Sequence, residues 1–110
     1  MGYEYSIILN KGEYPKAVQA LAEAFDSFSA QYVVEADNKG FSLMYPKDIK
    51  WPDRMQIIIK TVDEYTYVVP KDTQYLYCLF YISGDEAYRA IELIKSTLCR
   101  LECEYEIDDL

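Results

Sequence analysis

The most hydrophobic stretch of the chain extends from residue 74 to residue 83. From Leu76 onward every second side chain is apolar, whereas three of the four intervening positions carry a tyrosine, namely Tyr75, Tyr77 and Tyr81. Successive side chains of a strand point to opposite faces of a sheet, so one face of this strand is apolar and the other is phenolic. The pattern predicts a central strand with helices on its apolar face and an aromatic surface on the other.

Two segments show the three- and four-residue spacing of apolar side chains that is typical of amphipathic helices. The first extends from Pro15 to about Phe28, and its alanines raise the helix propensity. Proline is compatible with the first turn of a helix, because an N–H group there has no partner inside the helix. The second extends from Ala87 to Leu101 and follows residues 83–86, which fit a capping box. Both segments are predicted to be helices that bury one face.

Further strands are predicted from alternating polarity, β-branched side chains and turn residues. They cover Tyr3–Leu9, Tyr32–Ala36, Phe41–Tyr45, Met55–Val62 and Tyr65–Val69. The second and third of these strands flank residues 37–40, where Asn38 and Gly40 tolerate the positive φ of a tight hairpin turn. Only Asp63 and Glu64, a weak turn signal, separate the fourth from the fifth. That region is therefore either one long bent strand or a second hairpin.

The C-terminal segment, residues 102–110, is compatible with two structures. Acidic side chains alternate with Cys103, Tyr105 and Ile107, which is the period of a strand. However, Tyr105 and the leucines before it would also suit a continuation of the second helix. We expect a short charged edge strand, because acidic side chains on a sheet edge discourage pairing with another chain.

These elements predict a single domain over residues 1–110, a length that supports one hydrophobic core. Their order is strand, helix, four or five strands, helix and a last strand. We predict an α+β two-layer sandwich, in which a four- to six-stranded, mainly antiparallel sheet carries both helices on one face. The other face of the sheet is then left partly open.

Net charge narrows the classes of partner. Nineteen acidic and eleven basic residues give a formal net charge of -8 at pH 7. This charge repels phosphate backbones and anionic lipid surfaces, so we expect no direct binding to nucleic acid or to membranes. A strongly basic protein is the natural complement, because opposite fields steer the encounter of two proteins. The alternative is that the acidity only keeps the chain soluble.

The sequence also predicts where the protein works. Its three cysteines form no disulfide framework, and its first residues lack the basic and apolar segments of a signal peptide. No apolar run approaches the roughly 20 residues that span a bilayer. We expect a reduced, cytoplasmic protein.

Few residues suit catalysis or cofactor binding. The chain has no histidine, and Cys78 lies in the most apolar stretch, where a thiol ionises poorly. Its four glycines are isolated and cannot form a phosphate cradle, and its acidic pairs lack the spacing of a calcium loop. We therefore predict no enzymatic activity, no catalytic residue, no metal site and no cofactor.

Tyrosine is the residue type that stands out, with twelve copies. Five of them cluster in two neighbouring predicted strands: Tyr65, Tyr67, Tyr75, Tyr77 and Tyr81. Tyrosine offers a large contact area with few rotatable bonds, which is why protein interfaces are rich in it. The alternative is ordinary cross-strand aromatic packing inside the protein. The acidity and the lack of catalytic groups favour an interface.

In size, acidity and layout the chain resembles the small acidic immunity proteins of bacterial toxin–immunity pairs, including those of contact-dependent growth inhibition. This resemblance implies a cytoplasmic protein that neutralises a toxin, in particular a nuclease, by masking its basic substrate groove. Carboxylates would then stand in for the phosphates of the substrate. The candidate partner-binding residues are Asp63, Glu64, Tyr65, Tyr67, Asp72, Tyr75, Tyr77 and Tyr81, with Glu102, Glu104 and Glu106 as a second patch.

Besides an enzyme that uses carboxylates and a metal, which a thermal shift on adding a divalent cation would reveal, two other functions stay open. One is a regulatory or ligand-sensing α+β domain that self-associates through its open sheet face. The other is a nucleic-acid mimic that inhibits a defence enzyme. Ionic strength separates self-association from electrostatically steered binding, since only the latter slows as salt rises.

Overall fold

The structure is a computed structural model that describes residues 3–10, 13–28, 33–44, 53–61, 74–82 and 84–109. Within these ranges the chain forms six strands and two helices. The strands are β1 (Tyr3–Leu9), β2 (Val33–Ala36), β3 (Gly40–Met44), β4 (Asp53–Thr61), β5 (Gln74–Phe80) and β6 (Tyr105–Asp109). The helices are α1 (Tyr14–Phe25) and α2 (Gly84–Arg100).

The strands form one sheet in the order β2-β3-β4-β5-β1-β6, and each neighbouring pair is antiparallel. Strand β5 lies between β4 and β1, so the stretch predicted to be central is central. Its side chains at Leu76, Cys78 and Phe80 are fully buried on one face, whereas Tyr75 and Tyr77 on the other face are partly exposed. The predicted α+β sandwich is confirmed.

The hydrophobic core fills the space between one face of the sheet and the two helices. From α1, the ring of Phe25 packs on Phe41 of β3 with ring centroids 5.6 Å apart. From α2, Ile94 and Leu98 are fully buried. Each such side chain stabilises the fold by about 1.5–3 kcal/mol when it leaves water. Both amphipathic segments therefore bury the face that their spacing predicts.

Helix α1 begins at Tyr14, one residue before the predicted start, and Pro15 lies in its first turn. The phenol of Tyr14 is buried and has two hydrogen bonds. It accepts one from the Leu9 N–H at 3.0 Å and donates one to the Gln74 carbonyl oxygen at 2.8 Å. One side chain thus joins the end of β1, the start of α1 and the start of β5.

The hairpin between β2 and β3 is confirmed, but the predicted reason for its turn is wrong. Asn38 does not have a positive φ. Among the non-glycine residues in the described ranges, Glu102 is the one that does. Instead, Asp37 Oδ1 accepts hydrogen bonds from the N–H groups of Lys39 and Gly40, at 2.8 and 3.0 Å. An aspartate that binds its own backbone two residues on is a common way to close a turn.

Position 40 requires glycine because the backbones of β3 and β4 approach each other closely there. A Cβ atom at this position would overlap the carbonyl oxygen of Ile57 and the Cα of Ile58 in β4. Glycine lets the two backbones lie against each other at the start of β3.

Helix α2 ends in a Schellman motif. The N–H of Cys103 bonds to the Leu98 carbonyl at 3.1 Å, and the N–H of Glu102 bonds to the Cys99 carbonyl at 3.0 Å. Glu102 has a φ of 57°, the left-handed conformation that this motif usually assigns to glycine. The reversal stops the helix and directs the chain into β6.

Strand β6 settles the two alternatives for the C-terminal segment. Its residues pair with β1, with Ile107 opposite Ile7 and Tyr105 opposite Leu9. It lies at one end of the strand order, so the predicted charged edge strand is confirmed. Cys103, in contrast, precedes this strand.

Some predictions fall outside the described ranges. They concern the strand Tyr65–Val69, the serine of the capping box at position 83, and three predicted strand ends, namely Tyr32, Tyr45 and Val62. Among the helices that the structure describes, none has the length and apolar character needed to cross a membrane.

Candidate functional site

The face of the sheet opposite the helices is termed the open face. The side chains that define it alternate with the core residues of the same strands: Glu4, Ser6, Ile8, Glu35, Ser42, Gln56, Ile58, Lys60, Tyr75, Tyr77, Leu79, Glu106 and Asp108. Most of those in the central strands are partly exposed. No helix of the described chain covers this face.

Tyr77 is the centre of the open face, and two charged side chains hold it. Lys60 on β4 places its Nζ 4.1 Å from the centroid of the Tyr77 ring. On the other side, the Tyr77 phenol donates a hydrogen bond to the Glu4 carboxylate of β1. Lys60 and Glu4 are both diagonal neighbours of Tyr77 in the register of the sheet, a spacing that long side chains can bridge. The ring is therefore fixed between a cation and a carboxylate.

The environment of Tyr77 disfavours ionisation of its phenol. Burial raises its pKa, and the charge of Glu4 and the hydrogen bond to Glu4 raise it further, to about 12. The neighbouring phenols Tyr81 and Tyr75 add to the effect. A neutral phenol at this position is a hydrogen-bonding group and a flat contact surface, and it carries no charge at physiological pH.

Carboxylates form one margin of the open face. In the β1–β6 pair, Glu106 lies opposite Ile8 and Asp108 lies opposite Ser6, and both carboxylates belong to exposed residues. Ser6 is in turn opposite Tyr77 of β5. Tyr77, Ser6 and Asp108 therefore lie side by side on neighbouring strands, and they present a phenol, a small hydroxyl group and a carboxylate.

Ser6 is fully buried although it lies on the open face. Its Oγ is the one buried side-chain oxygen or nitrogen of the described chain that has no hydrogen-bond partner. An unsatisfied buried hydroxyl costs free energy, so this residue is a small local weakness in the sheet.

The structure brings together part of the two patches that the sequence predicts separately. Tyr75 and Tyr77 lie on the open face, and Tyr81 follows the end of β5 with 49 % of its surface exposed. Glu106 lies on the same face, at its acidic margin. These residues therefore belong to one surface.

The other members of the second patch lie just before β6. Glu104 is exposed, and its carboxylate accepts a hydrogen bond from the Asn10 side-chain amide at 3.1 Å. Glu102 is exposed at the end of α2. The remaining predicted residues lie outside the described ranges: Asp63, Glu64, Tyr65, Tyr67 and Asp72.

Sequence reasoning missed three residues that shape this surface: Glu4, Lys60 and Asp108. The alternation of β1 and β4 shows that Glu4 and Lys60 point away from the core. However, only the strand order places both of them beside Tyr77. The strand order comes from long-range pairing, which local sequence patterns do not encode.

The described residues offer little conventional chemistry. Burial raises the pKa of the Cys78 thiol, which makes it a poor nucleophile. Cys99 is exposed and Cys103 is partly buried, and neither is part of a disulfide. In the ranges that the structure describes, no three cysteine or acidic side chains are grouped closely enough to hold a metal ion.

The arrangement is suited to contact with another molecule. It combines a flat phenolic centre, a few aliphatic side chains such as Leu79, and carboxylates along one margin. Comparisons of the chain with protein-family models, with curated proteins and with solved structures found no match.

Proposed function

We propose that this chain is a protein-binding inhibitor that covers a basic surface of its partner with the open face. The observation that carries the proposal is the placement of Tyr75 and Tyr77 beside the carboxylates Glu4, Glu106 and Asp108 on one face of the sheet. Tyrosines are common among the residues that dominate binding energy, and the carboxylates supply charge complementarity. The surface thus has both parts that recognition of a basic protein requires.

The proposed partner is a nuclease toxin, and the chain is its immunity protein. A nuclease binds phosphates through a cationic groove, and carboxylates spaced along an edge strand present negative charge to the same lysines and arginines. The net charge of -8 adds a long-range attraction that accelerates encounter. In this role the chain acts in the cytoplasm, where it binds the toxin and is not itself an enzyme.

The first experiment identifies the partner. The tagged chain is purified from its native cell at low and at high salt, and the co-purifying proteins are identified by mass spectrometry. We expect one basic protein in near-stoichiometric amount, encoded next to this chain. Capture of an acidic protein, or of none, contradicts the proposal.

The second experiment tests inhibition directly. The partner's nuclease activity is titrated with the chain, and we expect complete inhibition near one equivalent. The variant Tyr77→Ala tests whether the open face makes this contact. It removes the centre of the face and should bind the partner more weakly by about 2 kcal/mol or more. Binding without inhibition would place the contact away from the substrate groove.

Self-association of a regulatory domain is the competing function, and it is favoured by the aliphatic residues Ile8, Ile58 and Leu79 on the same face. Two copies that meet through this face also bring their carboxylates together, which opposes pairing at low salt. Sedimentation at several ionic strengths separates the two functions. A dimer that persists at low salt supports self-association and contradicts the inhibitor. Capture of a defence enzyme with no neighbouring toxin gene would identify a nucleic-acid mimic instead.

A further inference from the structure

A second candidate site lies on the other side of the sheet, where α2 passes over β1 and β6. It is a groove of about 610 Å3, a size typical of ligand sites. Residues Gly84, Tyr88, Glu92 and Lys95 follow each other at steps of three and four along α2 and form one wall. The floor comes from β1 and β6. Because β6 is the edge strand, this side of it is only partly covered by the helix layer.

Four tyrosine rings are part of the lining of this groove. Tyr3 and Tyr5 come from β1, Tyr88 from α2 and Tyr105 from β6. Among the described residues, the exposed large hydrophobic side chains are Tyr3, Tyr81 and Tyr88, with 40 %, 49 % and 68 % of their surfaces exposed. Two of these three belong to the groove. Exposed aromatic side chains around a concavity are characteristic of a recognition site.

The charges of the groove differ between its two ends. At one end Asp109 of β6 lies directly opposite Tyr5 of β1, which places a carboxylate beside the phenol rings. Burial raises the pKa of the Tyr5 phenol, and the charge of Asp109 raises it further. Lys95 lies seven residues after Tyr88, which is about 10 Å farther along the helix axis. The end that holds Tyr3, Tyr5, Tyr88 and Asp109 is therefore the one that attracts a cation.

We infer that this end of the groove binds an arginine side chain of the basic protein partner, with tyrosine rings on its faces and Asp109 as its counter-ion. A cation over an aromatic face is attracted by the ring, and arginine makes this contact more often than lysine. Its guanidinium is planar and weakly hydrated, so it stacks on rings and binds a carboxylate at the same time. A free phosphate or another anion is disfavoured by Asp109 and Glu92.

This inference rests on the proposed function only in the identity of the partner. The groove lies on the helix side of the sheet, whereas the open face lies on the opposite side. A partner that contacts both sides would wrap around the β1–β6 edge. The arginine site can nevertheless be tested without the partner.

The probe is the blocked tripeptide acetyl-Gly-Arg-Gly-amide, and its matched control contains citrulline, which has the shape of arginine without the charge. The chain is labelled with 13C at its tyrosine rings and titrated with each peptide by NMR. We expect saturable shifts of the Tyr3, Tyr5 and Tyr88 signals with the arginine peptide and none with citrulline. The variants Asp109→Asn and Tyr88→Ala should each weaken binding about three- to fivefold. Glu35→Gln, an exposed acid on β2, should leave it unchanged.

Three results would overturn the assignment. The first is an equal response to the two peptides, or no saturable response. The second is a response confined to Tyr75 and Tyr77, which would place the cation site on the open face. The third is a dimer of the free chain that Tyr88→Ala dissociates, because a second copy would then occupy the groove.

The experiment also separates this inference from the proposed function. A chain that captures and inhibits a basic nuclease but ignores the arginine peptide contradicts the groove assignment alone. A chain that binds the peptide in the groove but captures no basic protein contradicts the proposed function alone.

Discussion

Tyr77 donates its phenolic hydrogen to the carboxylate of Glu4 on the adjacent strand, while Lys60 lies over its ring at 4.1 Å. This contact links stability to pH. The pKa of Tyr77 is raised from 10 to about 12 in the folded chain, by burial first and by Glu4 second. Between these values the folded state keeps a proton that the unfolded state has lost. The stabilisation is therefore complete below pH 10 and is lost as the pH rises through 12.

We expect the free energy of unfolding to fall less steeply above pH 10 in Tyr77→Phe than in the native chain. Urea denaturation at a series of alkaline pH values measures how steeply the free energy of unfolding falls with pH. The control is Glu4→Gln, which removes the charge but keeps an acceptor for the phenol. NMR of 13C-labelled tyrosine rings should show the pKa of Tyr77 falling in this variant. An unchanged pKa would mean that burial alone is responsible.

Tyr14→Phe should lower the free energy of unfolding by about 1–3 kcal/mol. The change removes one hydroxyl that serves two backbone groups, the N–H of Leu9 and the carbonyl of Gln74. In the variant, the N–H of Leu9 and the carbonyl of Gln74 would each lose their hydrogen bond to the Tyr14 hydroxyl. Tyr88→Phe is the matched control, since it removes an exposed hydroxyl and should change stability by less than about 0.5 kcal/mol. Equal effects of the two variants would contradict the bridging role of Tyr14.

Gly40→Ala should destabilise the chain by about 2–3 kcal/mol, because its methyl group would push β3 away from the backbone of β4. Gly84→Ala provides the comparison. A Cβ there meets only the phenol oxygen of Tyr3, at 3.8 Å, and alanine favours the helix that begins at this residue. We expect Gly84→Ala to keep or slightly raise stability. Thermal and chemical denaturation of the two variants test the difference.

Much of the fold follows from local pattern. The strand Tyr3–Leu9 has the boundaries that its sequence predicts, and the alternation around Leu76 and Phe80 identifies the buried face of β5. These successes share a cause. Apolar side chains on the buried face recur every second residue in a strand and every three to four residues in a helix. That spacing is visible in the sequence without a structure.

The parts that could not be predicted depend on long-range pairing or on a single side chain. Nothing local in the sequence places Glu4 next to Tyr77, because that contact depends on β1 lying beside β5. For the turn after β2 the sequence predicts a positive φ at Asn38 and Gly40, yet the Asp37 side chain closes it. The groove under α2 depends on how far the helix layer extends over β6, which is a matter of packing.

Ser6→Ala should raise the free energy of unfolding by about 1 kcal/mol, because it removes a buried hydroxyl without a partner. Ser42→Ala, at a partly exposed position of the same face, should stay within about 0.5 kcal/mol of the native chain. Denaturation by urea measures both. A loss of stability in Ser6→Ala would show that the hydroxyl has a partner in solution, such as an ordered water molecule.

The final prediction concerns the carboxylates of the open face. The triple variant Glu4→Gln, Glu106→Gln and Asp108→Asn should slow association with the captured partner about tenfold at low salt, since electrostatic steering acts mainly on the association rate. It should also reduce the dependence of that rate on ionic strength. Glutamine at position 4 still accepts the Tyr77 hydrogen bond, so the fold should be retained.

The matched control is the triple variant of Glu13→Gln, Glu23→Gln and Asp26→Asn. These exposed residues lie on and beside α1, on the other side of the sheet, and the change in net charge is the same. Stopped-flow kinetics of both variants separates local charge from total charge. Equal slowing would mean that only the net charge of the chain matters. Selective slowing by the open-face variant at 0.1 M salt locates the contact, because attraction between exposed charges is largely screened beyond about 10 Å at that ionic strength.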